Sequence, residues 1–516
     1  MKNVFFNKEL LEAEKIIIEK LNIPSLILME NAGKGAAGYI TDFCKKKSVK
    51  NIILLTGKGN NAGDGFVIAR HLLINEINLT LLQLYPESEL KGDALTNYNI
   101  LKNLNNKRIN VINYENLNAV KSLLSPESLI IDAVFGIGYK GELEEKIKLL
   151  FDEINKLECK YIISVDAISG LDDFMDCQDC LNADVTLTMG VQKFNSLFLD
   201  GRKKSGKIDI IDIGIPAAEF TRFNTKKIFE VEKDDVSKNI PLRDINSHKY
   251  NNGRLFVLGG SPGLSGAVYM ASLSALKTGS GAVILGVPQC LADIMEIKTT
   301  EVITTSYKQT DENTLSILDY QEIKKRIEWS DAVLIGPGSG KNEETFALVR
   351  KIISLNDKYF VVDADAVQAF KNHSDVLKQN DKKIILTPHY GEFSALTGIP
   401  LDEIKKNLYD VSTDFAKKYS VILVLKNSPT IITDGEIFLI NPTGKENLAT
   451  IGSGDVLSGI IASLLSQSGK PLESAFAGCY IHGKCGDNLY EKSGQSSTAA
   501  SELIEEIEKV KLDLLN

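Results

Sequence analysis

The feature of this sequence that most constrains its fold is a series of continuous apolar runs that alternate with helical patterns. Such runs are typical of strands that are covered on both faces in a parallel sheet, and the helices between them fit right-handed βαβ crossovers. The pattern predicts an α/β fold for the first half of the chain. Its runs cover Asn51–Thr56, Leu79–Leu84, Leu129–Val134, Tyr161–Asp166, Asp184–Thr188 and Lys207–Ile213.

A second series begins near Gly253 and predicts a second α/β domain. Its runs cover Leu255–Leu258, Val283–Val287, Ala332–Ile335, Phe360–Asp363, Ile384–Thr387 and Val421–Leu425, and a hairpin over 431–440 with an Asp-Gly turn follows. The polar segment Thr221–Ser247 between the two series is predicted to be the linker. A chain of 516 residues fits two large domains. We therefore predict two domains in tandem, residues 1–221 and 222–516.

Amphipathic helices are predicted at both ends of the chain. Near the start, Asn7 is a candidate N-cap for a helix with an apolar face. The final segment is predicted to be a packing helix. The two apolar faces consist of Leu10, Ala13, Ile17 and Leu21, and of Leu503, Ile507, Val510 and Leu514.

Charge and cysteine content narrow the partners and the compartment. With 59 Lys and Arg against 68 Asp and Glu, the net charge is −9, which argues against nucleic acid or an anionic membrane as the main partner. Seven cysteines fit a reducing compartment better than a disulfide framework, and Cys177 and Cys180 form a lone CxxC. The first residues lack the apolar core of a signal peptide, and no run is long enough to span a membrane. A cytoplasmic protein is expected.

A glycine-rich segment, Gly57–Gly65, directly follows the first strand and precedes a helical pattern. Glycines let the backbone approach a ligand closely, and a helix start presents free amides to an anion. The segment is neither GxGxxG nor a Walker motif. The alternative is a turn in which Asn61 and Asp64 cap a helix.

Two further strand ends carry oxygen-bearing side chains, namely Asp132 on one strand and Asp166 with Ser169 on another. Ligands of an open parallel sheet bind at the carboxyl ends of its strands, where these segments would meet. Asn61, Asp132 and Ser169 could jointly supply oxygen atoms to a cation.

These motifs resemble the NAD(P)H-hydrate epimerase family. The resemblance covers residues 1–215 and rests on Met29–Gly33, the NNAGDG segment, DAVFGIGYKG, the VD..SG strand end and Asp212–Pro216. It implies a Rossmann-like, three-layer domain that binds potassium and interconverts the R and S forms of hydrated NADH and NADPH. By position it places the hydrate at Asn60, Asn61, Ala62, Gly63, Asp64, Gly136, Ile137, Gly138, Tyr139, Lys140, Gly141, Glu142 and Asp166, and potassium at Asn61, Asp132 and Ser169.

The implied reaction needs a group that gives and takes a proton, because a carbon bearing a ring nitrogen and a hydroxyl can epimerise by losing and regaining that hydroxyl. Asp166 is the candidate, and Lys193 is the second. Two departures from the family pattern are Ala167-Ile168 in place of Ile-Pro and Ala62 in place of a glycine. A first half that keeps the fold without the activity is therefore an alternative.

The second half has its own glycine-rich helix start, Ile451–Gly459. Backbone N–H groups at such a start can stabilise a transferring phosphoryl group, and Asp455 could take the proton of an acceptor hydroxyl. The alternative is that Asp455 is simply an N-cap on a glycine turn.

The motifs around this segment resemble the ribokinase-like fold and, within it, the ADP-dependent (S)-NAD(P)H-hydrate dehydratase family. They are Ser247–Lys249, Gly259–Ser261, Gly336–Gly340, Asp363–Ala366 and Thr387–Glu392. The resemblance implies that ADP, with Mg²⁺, phosphorylates the hydrate hydroxyl, and that elimination of phosphate returns NADH or NADPH. By position it places the hydrate at Ala267, Gly338, His389 and Asp455, and the nucleotide at Lys426, Asn427, Ser428, Pro429, Thr430 and Gly454.

We interpret His389 as a hydrogen-bonding residue rather than a base, and the segment from Lys426 departs from the expected Lys-Gly-Ala form. The two resemblances together imply a fused repair enzyme that acts on small molecules. The first helix and the family suggest self-association. One alternative is a ribokinase-like small-molecule kinase with a non-catalytic nucleotide-binding N-terminal domain. Another is a binding module without turnover.

Overall fold

The structure is a computed structural model that describes residues 1–157, 161–171, 179–355, 357–494 and 497–516. It divides into two compact units. The N-terminal unit comprises Lys2–Thr225, and the C-terminal unit comprises Lys226–Asn516 together with Met1.

Parallel strands form the centre of the N-terminal unit. The strands are β1 (Lys2–Phe5), β2 (Asn51–Thr56), β3 (Leu79–Gln83), β4 (Ile109–Asn113), β5 (Ser128–Ala133), β6 (Tyr161–Val165), β7 (Val185–Met189), β8 (Gln192–Lys193) and β9 (Lys207–Ile211). The helices are α1 (Asn7–Leu21), α2 (Ser25–Lys47), α3 (Asn60–Ile74), α4 (Gly92–Asn103), α5 (Leu117–Val120), α6 (Glu145–Lys156), α7 (Leu199–Ser205) and α8 (Ala217–Thr221). Seven strands form one parallel sheet in the order β4-β3-β2-β5-β6-β7-β9, and β1 pairs in parallel with β8.

Successive residues of β2 point to opposite faces of this sheet. Ile52 and Leu54 belong to one hydrophobic cluster, which includes residues of α1 to α4. Ile53 and Leu55 belong to another, which includes residues of α6. Helices therefore cover both faces, as the continuous apolar runs predicted.

The C-terminal unit contains a second, mostly parallel sheet. Its strands are β10 (Ile228–Glu230), β11 (Arg254–Leu258), β12 (Ala282–Pro288), β13 (Ile303–Tyr307), β14 (Ala332–Ile335), β15 (Tyr359–Val362), β16 (Ile384–Leu386), β17 (Ile422–Leu425), β18 (Ile431–Thr433) and β19 (Phe438–Ile440). The helices are α9 (Lys233–Ser237), α10 (Ser265–Thr278), α11 (Ala292–Lys298), α12 (Tyr320–Trp329), α13 (Glu343–Ile353), α14 (Tyr390–Thr397), α15 (Leu401–Lys406), α16 (Leu408–Tyr419), α17 (Ser453–Ser468), α18 (Pro471–Ser493) and α19 (Ala500–Leu515). The strands of this sheet lie in the order β13-β12-β11-β14-β15-β16-β17-β18-β19-β10.

The predicted hairpin is confirmed, because β18 pairs antiparallel with β17 and β19. The boundary between the two units, between Thr225 and Lys226, lies inside the segment Thr221–Ser247 that was predicted to be the linker, but the segment is more than a linker. This segment contains β10, which pairs in parallel with β19, and the short helix α9. Elements of three and five residues are too short to show a hydrophobic period, so the polar composition dominated the sequence pattern.

Helix α1 begins as predicted near Asn7, but Asn7 is not its N-cap. Phe6 has extended backbone geometry and is the N-cap, and its carbonyl accepts the first helical hydrogen bond from the amide of Leu10. Leu10, Ala13 and Ile17 are buried in the core of their own unit. This face of α1 is therefore not free to carry self-association. In α19, the predicted face of Leu503, Ile507, Val510 and Leu514 is buried.

Within the described part of the chain, no helix is both long enough and apolar enough to cross a membrane. Cys44, Cys290, Cys479 and Cys485 are free. Cys180 is disulfide-bonded, whereas the sequence favoured a reducing compartment over a disulfide framework. Cys177, the other half of the CxxC, lies outside the described residues.

Candidate active sites of the two units

A cavity of about 470 Å³ lies at the carboxyl ends of β2, β5, β6 and β7 in the N-terminal unit. Parallel strands bring their carboxyl ends to the same edge of a sheet, so segments far apart in sequence meet there. Helices α1 and α2 complete the cavity with mostly apolar side chains. The predicted residues that line it are Asn60, Asn61, Asp64, Gly136, Ile137, Gly138, Tyr139, Lys140 and Asp166.

The NNAGDG segment is the first turn of α3 rather than a loop, because the helix starts at Asn60 after its N-cap Gly59. Its first amides have no partner within the helix. The chain turns at Gly57, where a Cβ would lie 2.1 Å from the Val134 carbonyl oxygen. This close approach joins the β2 end to the loop after β5.

Four of the predicted hydrate contacts do not line the cavity. Ala62 is buried in the core, and Gly63 packs on α2, where a Cβ would lie 2.5 Å from Met29 Sδ. Gly141 and Glu142 lie beyond the cavity loop, and the Glu142 side chain is 94% exposed.

The Asp166 carboxylate lies at the end of β6 and is held by three donors. Its Oδ1 accepts hydrogen bonds from Lys193 Nζ at 2.6 Å and from the Met189 amide at 3.3 Å. Its Oδ2 accepts one from the Ile137 amide at 3.5 Å. Asp166 also has a φ of 65°, a conformation that is rare outside glycine and often found at functional sites.

Lys193 is the partner of Asp166 and does not itself line the cavity. Its side chain is 1% exposed, and Nζ donates a second hydrogen bond to the Met189 carbonyl at 2.9 Å. Gly136 leaves room for the carboxylate, because a Cβ there would lie 3.0 Å from Asp166 Oδ2. The structure thus brings both predicted catalytic residues together, with Asp166 facing the cavity.

Asp132 and Ser169 form a buried group next to the cavity loop. Asp132 Oδ1 accepts a hydrogen bond from Ser169 Oγ at 2.5 Å, and its Oδ2 accepts one from the Ser169 amide at 3.0 Å. These bonds fix Ser169 although Ala167-Ile168 replace Ile-Pro. Ser169 Oγ also accepts a hydrogen bond from the Phe135 amide at 2.9 Å.

Glu14 was not predicted from the sequence, and it lines the cavity from α1. Burial raises the pKa of Glu14 to about 7; the Lys193 charge opposes this and the Asp166 charge adds to it. Burial, with the charges of Asp166 and Glu14, also raises the pKa of Asp64 well above its usual range. The sequence signal for Glu14 was a carboxyl on the apolar face of an amphipathic helix, where charged side chains are rare.

In the C-terminal unit, Gly454 and Asp455 lie in the first turn of α17, whose N-cap is Gly452 with a φ of 90°. The Lys426 ammonium lies beside this turn, since a Cβ on Gly454 would be 3.5 Å from Nζ. Lys426 Nζ donates to Asp363 Oδ1 at 2.7 Å. A cation and a helix start next to each other create positive potential where a phosphate could bind.

The acid–base character of this site follows from burial and from its charges. Burial raises the pKa of Asp455 to about 7; the charge of Asp363 adds to the shift, whereas that of Lys426 opposes it. Burial alone would lower the pKa of Lys426, but Asp363 and Glu392 outweigh it and the pKa is raised. Lys426 therefore stays positively charged at neutral pH, and it lies beside Asp455, whose pKa is about 7.

Ala267 and Gly338 are in contact, because a Cβ on Gly338 would lie 3.2 Å from that of Ala267 and 2.6 Å from the Leu264 carbonyl oxygen. Gly338 has a φ of 60°. Ser261 Oγ donates to its carbonyl at 2.8 Å. The remaining predicted nucleotide contacts, Asn427 to Thr430, form the connection between β17 and β18.

His389 is the N-cap of α14. Its Nδ1 accepts hydrogen bonds from the amides of Gly391 at 3.0 Å and Glu392 at 3.2 Å. A ring nitrogen that accepts two amide hydrogen bonds has a structural use, and the ring is 59% exposed. A second histidine, His482, was not predicted from any motif. Its Nε2 lies 3.0 Å from Ser453 Oγ, and burial lowers its pKa to about 4.

No cluster of three or more His, Cys, Asp or Glu suited to a metal ion exists among the residues that the structure describes. One α/β unit has a carboxylate–lysine pair in a strand-end cavity, and the other has an acid at a glycine-rich helix start. Together they define a two-domain enzyme with sites for polar, phosphate-bearing small molecules.

Comparisons with known proteins narrow this class. Residues 255–509 match the family described as NAD(P)H-hydrate dehydratase, and residues 25–194 match that described as YjeF-related protein N-terminus. A bifunctional NAD(P)H-hydrate repair enzyme of Moorella thermoacetica is 34% identical over 504 residues, covering 96% of this chain and 94% of that protein. The counterpart from Methanocaldococcus jannaschii is 34% identical over 506 residues, with 95% and 90% coverage.

A ribokinase-like protein of Enterococcus faecalis superposes with a TM-score of 0.50 at 23% identity, covering 56% of this chain and 96% of its own. This likeness shows the fold alone. The chain belongs to the family of bifunctional NAD(P)H-hydrate repair enzymes. The predicted family, fold class and enzymatic nature are thereby confirmed.

Proposed function

We propose that the N-terminal unit interconverts the R and S forms of hydrated NADH and NADPH, and that the C-terminal unit uses ADP to return the S form to NADH or NADPH. The observation that carries this proposal is the arrangement at α17. There, Asp455 lies in the first helical turn beside the Lys426 ammonium. The near full-length similarity to bifunctional repair enzymes supports the pairing of the two activities.

In the C-terminal unit, the Asp455 carboxylate takes the proton of the hydrate hydroxyl. The hydroxyl oxygen bonds to the β-phosphorus of ADP while the bond to AMP breaks. Lys426 and the free amides of the first turn of α17 stabilise the charge that develops on the phosphoryl oxygens. The carbon–oxygen bond then breaks with loss of phosphate and of the neighbouring carbon's proton, which leaves NADH or NADPH.

In the N-terminal unit, the hydrate lies in the strand-end cavity with its hydroxyl near Asp166. Lys193 and the Met189 amide orient this carboxylate. Asp166 takes part in the loss and return of the hydroxyl as a proton carrier. The amides at the start of α3 are available to a phosphate of the dinucleotide.

A potassium ion fits the residues Asn61, Asp132 and Ser169. Asp132 is fully buried, and its carboxylate accepts hydrogen bonds from the neutral groups of Ser164 and Ser169. Both polar atoms of the Asn61 side chain are buried without a hydrogen-bond partner. Oxygen donors suit a hard cation, which would offset the buried negative charge and order the loop after β5.

Potassium is expected to stabilise the protein specifically, because an ion that binds only the folded state shifts unfolding by about 1–3 kcal/mol at 10 to 100 times its Kd. Potassium chloride and tetramethylammonium chloride at equal ionic strength should give different unfolding midpoints in calorimetry. The Asn61→Ala variant should lose this difference. Asn75→Ala, at the exposed C-cap position of the same helix, should keep it. Equal midpoints for the unchanged protein would refute the potassium site.

Mg²⁺ is proposed to arrive with the ADP phosphates, because Mg²⁺ in proteins is usually held by one or two carboxylates together with substrate phosphates. Self-association and a cytoplasmic location stay predictions.

The function is tested by incubating the full chain with an R and S hydrate mixture, ADP, Mg²⁺ and K⁺ and following the absorbance of the regenerated dihydronicotinamide. Both activities together should recover all of the hydrate. Recovery that stops when the S form is exhausted would mean an inactive N-terminal unit. Formation of AMP and a sugar phosphate from ADP with a panel of sugars, with no turnover of the hydrate, would indicate an ordinary kinase instead.

A further inference from the structure

The cavity of the N-terminal unit has two chemically different walls. The wall at the sheet edge carries Asp166 and the amides of the loop after β5. The wall formed by α1 and α2 is mostly apolar, and its lining residues are Leu11, Glu14, Ile18, Ser25, Leu28, Met29 and Ala32. Glu14 is the acidic residue of this helical wall among the described lining residues.

The position of Glu14 follows from helical geometry. Leu11, Glu14 and Ile18 are three and four residues apart, so their side chains share one face of α1. All three line the cavity. Glu14 is half-buried, and no described residue holds its carboxyl in a hydrogen bond or an ion pair. A carboxyl without a fixed partner on an apolar wall can exchange a proton with a bound molecule at little structural cost.

The proposed reaction calls for two such groups. If the hydroxyl leaves from one face of the carbon and water returns to the other face, a proton must be given on one side and taken on the other. Asp166, paired with Lys193, serves the sheet-edge wall. A second group must act from a different wall, and pairs of acids in contrasting surroundings are a usual sign of divided acid and base roles.

We propose that Glu14 is the second proton-transferring carboxyl of this cavity and that it acts on the face of the reacting carbon that Asp166 does not reach. This inference rests on the proposed epimerase function. In one direction the Glu14 carboxylic acid protonates the departing hydroxyl, which leaves as water, and the ring nitrogen forms a double bond to the carbon. A second water bonds to the opposite face and gives its proton to the Asp166 carboxylate. The reverse direction exchanges the two roles, and cavity water resets the protons.

The charges that face Glu14 suit this role. Asp166 after β6 and Lys193 from β8 act on Glu14 electrostatically, and the charge of Glu14 in turn raises the pKa of Asp64 on α3. Lys58, Asp93 and Lys140 also line the cavity. Burial raises the pKa of Glu14 to about 7; the Lys193 charge opposes this shift and the Asp166 charge adds to it, so both protonation states are available near neutral pH.

The test uses the full chain without ADP, so that the C-terminal unit is silent, and follows R-to-S and S-to-R conversion chromatographically in water enriched in oxygen-18. Glu14→Gln should lower kcat in both directions about a hundredfold, with little change in KM, and should remove the pH dependence near 7. Glu14→Asp should retain more activity because it still carries a proton. Glu12→Gln, on the exposed face of α1, should behave like the unchanged protein.

Two outcomes separate this inference from the function on which it rests. Failure of the unchanged protein to interconvert the forms or to incorporate oxygen-18 would overturn the proposed epimerase chemistry itself. Normal rates and an unaltered pH profile in Glu14→Gln would overturn the role of Glu14 alone. Dehydration of the S form with ADP should stay unchanged in every variant, and Glu14→Gln should keep the unfolding midpoint of the unchanged protein.

Discussion

Asp455→Asn is expected to lower the rate of S-hydrate dehydration about a thousandfold, because an amide cannot accept the hydroxyl proton. The change is nearly isosteric at a half-buried position in the first turn of α17, so ADP affinity should remain similar. The measurement is regeneration of the dihydronicotinamide with S-hydrate and ADP. Interconversion of the R and S forms by the same variant provides the internal control.

The pH dependence of the unchanged protein checks the same role. Since the carboxylate is the active form and burial brings the pKa of Asp455 to about 7, kcat should rise with pH and level off above neutrality. Asp365→Asn removes a like charge that raises this pKa, so its profile should shift to lower pH. A dehydration rate in Asp455→Asn close to that of the unchanged protein would contradict the whole assignment of this site.

Asp166→Asn is expected to slow the interconversion of the R and S forms about a thousandfold, because the amide cannot transfer the proton. It also leaves the Lys193 ammonium, 1% exposed, without its anion. Breaking a buried ion pair in this way costs about 3–5 kcal/mol. The variant should therefore show both a slower reaction and a lower unfolding midpoint. Chromatographic separation of the two forms and calorimetry measure these effects.

The double variant Asp166→Asn/Lys193→Met separates the two effects, because it removes both charges of the pair. Its stability should recover toward that of the unchanged protein, while interconversion stays slow. Recovery of activity in the double variant would show that Asp166 only neutralises Lys193 and carries no proton. Dehydration of S-hydrate should be normal in both variants.

Much of the fold could be predicted because apolar runs report burial directly. The runs Asn51–Thr56 and Ala332–Ile335 coincide with β2 and β14, since both are covered on two faces and contain little polar signal. Two edge strands, β4 and β13, were missed for the opposite reason. Ile109–Asn113 and Ile303–Tyr307 are partly exposed, so their mixed composition resembles that of a loop.

The candidate sites were predictable where their residues follow one another along the chain. Glycines that precede a helix identify both helix starts, at α3 and at α17, because the backbone geometry there depends on local sequence. The pairing of Lys193 with Asp166 and the approach of Glu14 to the same cavity left no such signal. Each joins residues on different elements.

The sequence alone determined two α/β units, their parallel sheets and the family, because apolar runs and short motifs depend only on residues that are close together along the chain. Only the tertiary structure decided which charges meet. Lys426 donates a hydrogen bond to Asp363 beside Gly454, and Glu14 lines the cavity from α1. The physical reason is that the protonation and orientation of a buried group depend on neighbours in space, which strand order and helix packing bring together.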